Sequence, residues 1–165
     1  DEAVLVDVHA VRREVSGDAV FGHIQPLSAL ERLLPAADTV ILALPLTSAT
    51  RGLMNAERFA RMKPGSTFIN IGRGALVDEP ALLEALRRGR PGIAALDVFM
   101  HEPLPQDHPF WKMEQVIVSP HMSADIIGWN DTAMRLFLAN LRRWIGGAPL
   151  QHVVDKAKMA YAQAG

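Results

Sequence analysis

An α/β fold built on a parallel, doubly wound sheet is predicted by three features of this sequence. Segments 39–44, 67–71 and 93–98 are short, almost wholly apolar runs of strand length, the pattern of strands buried on both faces. A helical pattern with its own start and stop signals lies between each run and the next. The chain has 165 residues, 49% hydrophobic and 21% charged, which suits a single core in one domain.

In chain order, Val4-Leu5-Val6-Asp7-Val8-His9-Ala10-Val11 is β-branched and bounded by Arg12-Arg13-Glu14, predicting a strand over 4–11. Leu27, Leu30 and Leu34 share one face of a short helix over 28–34 that Pro35 ends. After the apolar run 39–44, Asn55 is the N-cap of a helix through Met62, which Pro64-Gly65 stops. A strand over 67–71 follows. Asp78 or Glu79 then opens a helix with Pro80 in its first turn, ending near Gly89. Strands over 93–98 and 116–118 complete the sheet, and one long helix over 124–145 is closed by Gly146-Gly147. Helices on both faces are the expected cover.

Composition narrows the function. The formal net charge of -1 gives no basic field for nucleic acid or anionic lipid. No apolar run approaches the ~20 residues of a membrane helix. The chain has no cysteine, which excludes disulfides, thiolate zinc sites and a cysteine nucleophile and fits a reducing, cytoplasmic setting. There is no signal-peptide pattern. The strand-like run starts almost at Asp1, so a piece of a longer protein is expected, with a trimmed end as the alternative.

Open parallel sheets bind ligands beyond the carboxyl ends of their strands, and three polar residues fall there. Arg73 follows one strand between Gly72 and Gly74, where a turn leaves the side chain projecting; a guanidinium there can grip a carboxylate through two parallel bonds, or simply sit in solvent. Glu102 follows the next strand, before Pro103, which favours an extended backbone; a solvated loop glutamate is the alternative. His121 follows the last strand in Ser119-Pro120-His121, and alone would pass for a structural or exposed histidine. Two motifs fail in the same loops. Val77 stands where a dinucleotide fingerprint begun at Gly72 needs its third glycine, and Pro105 stands where a zinc-binding helix begun at His101-Glu102 needs its second histidine.

Together the three residues make a specific set. A carboxylate beside an imidazole fixes its tautomer and favours its charged form. The imidazolium can donate a proton, and a nearby arginine can hold a carboxylate or polarise a carbonyl. That chemistry suits reduction of a 2-keto acid with hydride from a cofactor.

The segments carrying these residues resemble the D-2-hydroxyacid dehydrogenases. Asn70-Ile71-Gly72-Arg73-Gly74-Ala75-Leu76-Val77-Asp78-Glu79-Pro80-Ala81-Leu82 is similar to the family's arginine motif, Ala95-Leu96-Asp97-Val98-Phe99 with Glu102-Pro103 to its glutamate motif, and Ser119-Pro120-His121 to its histidine motif. Leu44-Pro45-Leu46-Thr47 with Thr50 looks like the loop lining the nicotinamide. The likeness runs from about residue 4 to the end, and the tail Val153-Val154-Asp155-Lys156-Ala157-Lys158 resembles glyoxylate and hydroxypyruvate reductase-like members.

The resemblance implies an NAD(P)-dependent oxidoreductase with a Rossmann-like nucleotide domain. Arg73, Glu102 and His121 would be catalytic. Arg73 would bind the substrate carboxylate and carbonyl, and His121, paired with Glu102, would be the acid–base group. The cofactor would meet Arg12, Arg13, Leu44, Pro45, Thr50, Ile71, Gly72, Arg73, Asp97 and His121. Asp97 would face the nicotinamide carboxamide, or else cap its strand. No metal is implied. The partner is a small 2-keto acid such as glyoxylate or hydroxypyruvate, and the intact protein is expected to be a homodimer.

The chain departs from the family in lacking the first strand and glycine-rich loop, so the sheet is expected to be incomplete at its N-terminal side. Residues 1–146 are expected to form most of a dinucleotide-binding domain, and 147–165 a tail returning to a separate substrate domain. The 165 residues alone are expected to be inactive. Arg12 and Arg13, placed where NAD-dependent relatives carry the ribose-binding acid, favour NADP over NAD. Asp7 is the rival, and would favour NAD if the strand ended there. Glu102 disfavours a formate dehydrogenase, which has glutamine at that place. A cofactor-sensing corepressor-like protein and an inactive fragment remain as alternatives.

Overall fold

A computed structural model describes residues 6–12, 17–18 and 22–154. Its centre is a four-stranded parallel sheet, made of β3 (Thr39–Leu42), β4 (Thr67–Asn70), β5 (Ile93–Leu96) and β6 (Val116–Val118) in that order. A two-residue antiparallel pair, β1 (Gly17–Asp18) with β2 (Gly22–His23), precedes it. The helices are α1 (Leu30–Leu33), entered through a 3-10 turn at Leu27–Ala29, α2 (Ala56–Arg61), α3 (Glu79–Arg87) and α4 (Trp129–Ile145).

The capping residues act as the sequence predicts. The Asn55 side chain accepts the Arg58 N–H at 3.0 Å, and the Asp78 side chain accepts the Ala81 N–H at 3.1 Å. Each satisfies a donor that a helix leaves without an internal partner. Gly89, at φ 68°, ends α3 in the left-handed region where a Cβ is penalised.

Register brings the strand ends into line. Leu42 pairs with Asn70, Asn70 with Leu96, and Leu96 with Val118. Residues just after the four strands therefore emerge along one edge. The row containing Leu42, Asn70 and Leu96, with Phe68 and Ala94 two positions earlier on the same face, is buried. It meets Leu30 and Leu34 around α1, Phe59 and Met62 around α2, and Leu82 and Leu86 of α3 in one apolar cluster. Phe59 and Phe68 meet edge to face with ring centroids 5.2 Å apart, a favoured aromatic geometry.

The other face differs from the expectation of helices on both sides. Ile41, Ile93 and Ile117 are exposed there, and α4 buries none of its residues. An apolar run records what a face is suited to meet. Covering it takes a second element, and no described element supplies one.

Two further elements are corrected. Residues 6–10 form no strand; the expected strand over 4–11 is reduced to one parallel bridge, Val11 with Gln25, and residues 1–5 lie outside the described set. The long helix begins at Trp129 rather than at 124, after Gly128 at φ 82°. The amides of Met122 and Ser123 are drawn to a side chain, as described below, and the chain turns once more before the helix starts. Among the described residues no helix is long and apolar enough to cross a membrane.

Phe68→Ala removes a ring with no solvent exposure. It is expected to lower the unfolding free energy by about 3–5 kcal/mol, read from urea denaturation followed by circular dichroism.

Candidate active site

The edge where the four strands end carries the three residues singled out from the sequence. Arg73 lies in extended backbone, φ -146° and ψ 145°, between Gly72 and Gly74. Neither glycine has a positive φ, so a sharp turn is not what requires them. Space requires them. A Cβ at Gly72 would fall 2.8 Å from the Leu44 carbonyl oxygen, and one at Gly74 would fall 1.9 Å from the Phe99 carbonyl carbon. The Arg73 segment is thus pressed between the loop after β3 and the loop after β5.

Asn70, buried at the end of β4, holds the same segment from below. Its Oδ1 accepts the Gly72 N–H and its Nδ2 donates to the Arg73 carbonyl, each at 3.1 Å. The sequence reading missed this residue. Its signal was a lone amide closing an apolar strand, two residues before a glycine. The Arg73 guanidinium also donates to the Gly72 carbonyl at 2.6 Å.

Glu102 and His121 meet. His121 Nδ1 lies 2.7 Å from Glu102 Oε2, and Glu102 Oε1 accepts the Phe99 N–H at 3.0 Å. Burial pushes the Glu102 carboxyl up. The His121 ring and the Phe99 amide outweigh it, with the Arg73 charge adding to them, so the carboxyl lies below its ordinary value. An ionised Glu102 only accepts, which places a proton on His121 Nδ1 and leaves Nε2 as the outward nitrogen. The pair is open to the edge, with side-chain exposures of 44% and 35% for His121 and Glu102.

His121 itself has φ 54°, a left-handed conformation uncommon for a side chain of this size. Asp97, 3% exposed at the end of β5, accounts for it. Its Oδ1 accepts from the Ser119 hydroxyl at 2.6 Å and from the Met122 N–H at 2.9 Å, and its Oδ2 accepts the Ser123 N–H at 2.8 Å. These bonds bracket His121 on both sides. Burial raises the Asp97 carboxyl, but the Ser119 hydroxyl and the two amides dominate and bring it down to about 2. The strand-cap alternative therefore describes bonds that Asp97 makes.

The remaining cofactor candidates divide. Leu44 is half-buried, while Pro45 and Ile71 are exposed at the same edge and form an apolar lining. Thr50 is buried, and its hydroxyl donates to the Pro45 carbonyl at 2.8 Å and accepts the Thr47 N–H at 2.8 Å. Its hydroxyl proton is taken up inside the loop, which fixes the shape of the lining. Arg12 is exposed, and its N–H donates to the Gln25 carbonyl at 2.9 Å. Arg13 lies outside the described residues.

Residues 2–123 match the family model for the D-isomer specific 2-hydroxyacid dehydrogenase, NAD binding domain. The chain belongs to the D-isomer specific 2-hydroxyacid dehydrogenase family. Among curated relatives, the glyoxylate/hydroxypyruvate reductase B of Escherichia fergusonii is 50% identical over 95 residues, which is 58% of this chain and 29% of that protein. A D-isomer specific 2-hydroxyacid dehydrogenase from Xanthobacter autotrophicus Py2, solved with NADPH and MES, superposes with a TM-score of 0.80 at 41% identity, covering 92% of this chain and 62% of that one. An NADPH-dependent glyoxylate/hydroxypyruvate reductase from Sinorhizobium meliloti, solved with NADP and sulfate, gives a TM-score of 0.79 at 33% identity, over 92% and 48%. This chain of the dehydrogenase family thus spans less than a third of the first relative and about half to two thirds of the solved chains.

The Asp97 carboxylate sets a pH-dependent stability. Its carboxyl is lowered from 3.8 to about 2 on folding, so its contribution is complete above the unfolded value and fades as the pH falls through the folded one. Asp97→Asn is expected to cost on the order of 2 kcal/mol at neutral pH, and the gap from wild type is expected to close as the pH drops towards about 2. Urea denaturation as a function of pH measures it.

Proposed function

We propose that the intact protein carrying this chain is an NAD(P)-dependent reductase of small 2-keto acids, of the glyoxylate or hydroxypyruvate kind, with NADPH preferred to NADH. The observation that carries the proposal is the 2.7 Å contact between His121 and Glu102, formed beside an arginine that two glycines hold in place.

The apolar edge formed by Leu44, Pro45 and Ile71 suits a flat nicotinamide face, and Gly72 lets the Arg73 segment pack directly against Leu44 of that edge. When bound, the nicotinamide supplies the hydride. The chain's own residues do the rest. Arg73 grips the substrate carboxylate and draws electron density from the carbonyl oxygen. His121 Nε2 delivers a proton to that oxygen as it becomes the alcohol. Glu102 keeps Nδ1 protonated and balances the imidazolium charge. Asp97 and Asn70 hold the two segments on which these groups sit.

Ribose recognition rests on Arg12 and Arg13. The parallel bridge at Val11 favours Arg12 over Asp7 as the strand-end residue, and a guanidinium there attracts a 2′-phosphate that an acid would repel. NADPH and NADP in two of the solved relatives agree with this choice. The reductase and dehydrogenase names of the relatives favour an enzyme over the corepressor-like reading. We further propose a cytoplasmic homodimer with residues 147–165 leading to a substrate domain. The exposed Phe137, Trp144 and Ile145 of α4 provide apolar surface for such contacts.

His121→Ala in the intact protein is expected to lower keto-acid turnover by ~10²–10⁴-fold, while Arg73→Lys mainly raises the KM for the keto acid because an ammonium lacks the fork. Steady-state assays with glyoxylate and hydroxypyruvate check both; unchanged turnover in the first variant would overturn the proposal. Replacing Arg12 and Arg13 together by alanine is expected to raise the KM for NADPH and leave that for NADH nearly unchanged. A wild-type protein that uses NADH equally well would sink the cofactor assignment.

A further inference from the structure

One ionisable cluster beside the site has no part in the proton transfer. Glu79, in the first turn of α3, is 12% exposed at its side chain. An acid at this position is ordinarily explained by the helix dipole, yet this one reaches out of its helix. Its Oε1 accepts the N–H of Met100 at 2.6 Å, a short charge-assisted bond. Its Oε2 lies 3.8 Å from Nε2 of His108. His108 is itself fixed, because its Nδ1 accepts the Phe110 N–H and its ring lies 4.5 Å from that of Phe110. The ring nitrogen facing Glu79 is therefore the one that carries hydrogen.

The Met100 side chain is exposed, so the bond does not serve to bury it. What it fixes is the backbone. Successive amides, those of Phe99 and Met100, donate to two different carboxylates, Glu102 and Glu79. The same peptide lies directly under Gly74, where a Cβ would overlap it. The stretch from Arg73 to Glu79 thus holds the Phe99–Met100 peptide at both ends, by contact at Gly74 and by the Glu79 bond.

We propose that Glu79 is a positioning residue for the acid–base pair: by binding the Met100 amide it fixes the peptide against which Glu102 rests, and so holds Glu102 in register with His121 and with Arg73. This rests on the reading of Glu102 and His121 as the acid–base pair of a keto-acid reductase. His108 keeps the Glu79 carboxylate turned towards the loop.

Three substitutions in the intact protein separate reach from charge. Glu79→Gln keeps the length and an acceptor oxygen but loses the charge. Glu79→Asp keeps the charge but falls one methylene short. Glu79→Ala loses both. Each is assayed for glyoxylate reduction, and the Glu102 side-chain carboxyl is titrated by carbon-13 NMR. With Asp or Ala, kcat is expected to fall at least about tenfold, since a misplacement of 1 Å can cost ~10²-fold, with the KM for glyoxylate nearly unchanged. The Glu102 midpoint is expected to rise towards its ordinary value, as its bonds to His121 and Phe99 loosen. Gln is expected to restore both. If alanine prevents folding, the aspartate variant carries the same decision. An unmoved Glu102 midpoint in the aspartate variant, or a glutamine variant as impaired as aspartate, would overturn the proposal. Should the protein not reduce keto acids, a Glu102 midpoint that rises with aspartate and returns with glutamine would still support the positioning role while rejecting the reductase reading. An unmoved midpoint in an active enzyme would reject the positioning role alone.

Discussion

A buried carboxylate ties the site together. Asp97 ends β5, and its two oxygens gather the Ser119 hydroxyl and the amides of Met122 and Ser123 from the segment after β6. A charge this enclosed is tolerated only when its lone pairs are met by donors, and here the donors flank His121. Left-handed backbone at a non-glycine residue persists where its surroundings over-determine it, and three bonds around one residue do so. The imidazole is held over the sheet edge by a side chain that never touches it.

The second constraint is steric. Gly72 and Gly74 let three strand-end loops approach more closely than side chains would allow, with Leu44 on one side and the Phe99–Met100 peptide on the other. Arg73 is the projecting side chain of that tight layer, and Asn70 satisfies the polar backbone around it. The segments that carry Arg73 and Glu102 are therefore in direct contact, so an error in one loop is passed to the next. A rigid scaffold of this kind suits a reaction in which two groups must meet a small substrate together.

The rest of the molecule is built around one apolar face. α1, α2 and α3 close that side of the sheet, while Ile41, Ile93 and Ile117 on the other side, and Phe137, Trp144 and Ile145 of α4, remain open. Exposed apolar residues grouped in this way are surface of the kind that protein contacts use, and the chain spans only part of the length of its relatives. On the helix-covered side the buried cluster runs from Leu30 to Phe110.

The sequence by itself determined the parallel sheet, because β4 and β5, like β3, carry apolar residues on both faces and short alternating connections permit little else. It determined the caps at Asn55 and Asp78, because those are local bonds between residues three apart. It also placed Arg73, Glu102 and His121 after consecutive strands, which is enough to bring them to one edge. The tertiary structure decided what lies between those residues. The bond of the Thr50 hydroxyl to the Pro45 carbonyl is one such detail. The glycines beside Arg73 looked like turn residues and are instead points of close approach. The bonds of Glu79 to Met100 and of Asp97 to Met122 span 21 and 25 positions, beyond any periodicity or cap signal. Helix and strand patterns report on neighbours within a few residues. Which distant amide a carboxylate meets depends on how loops stack at the sheet edge, and only the folded chain fixes that.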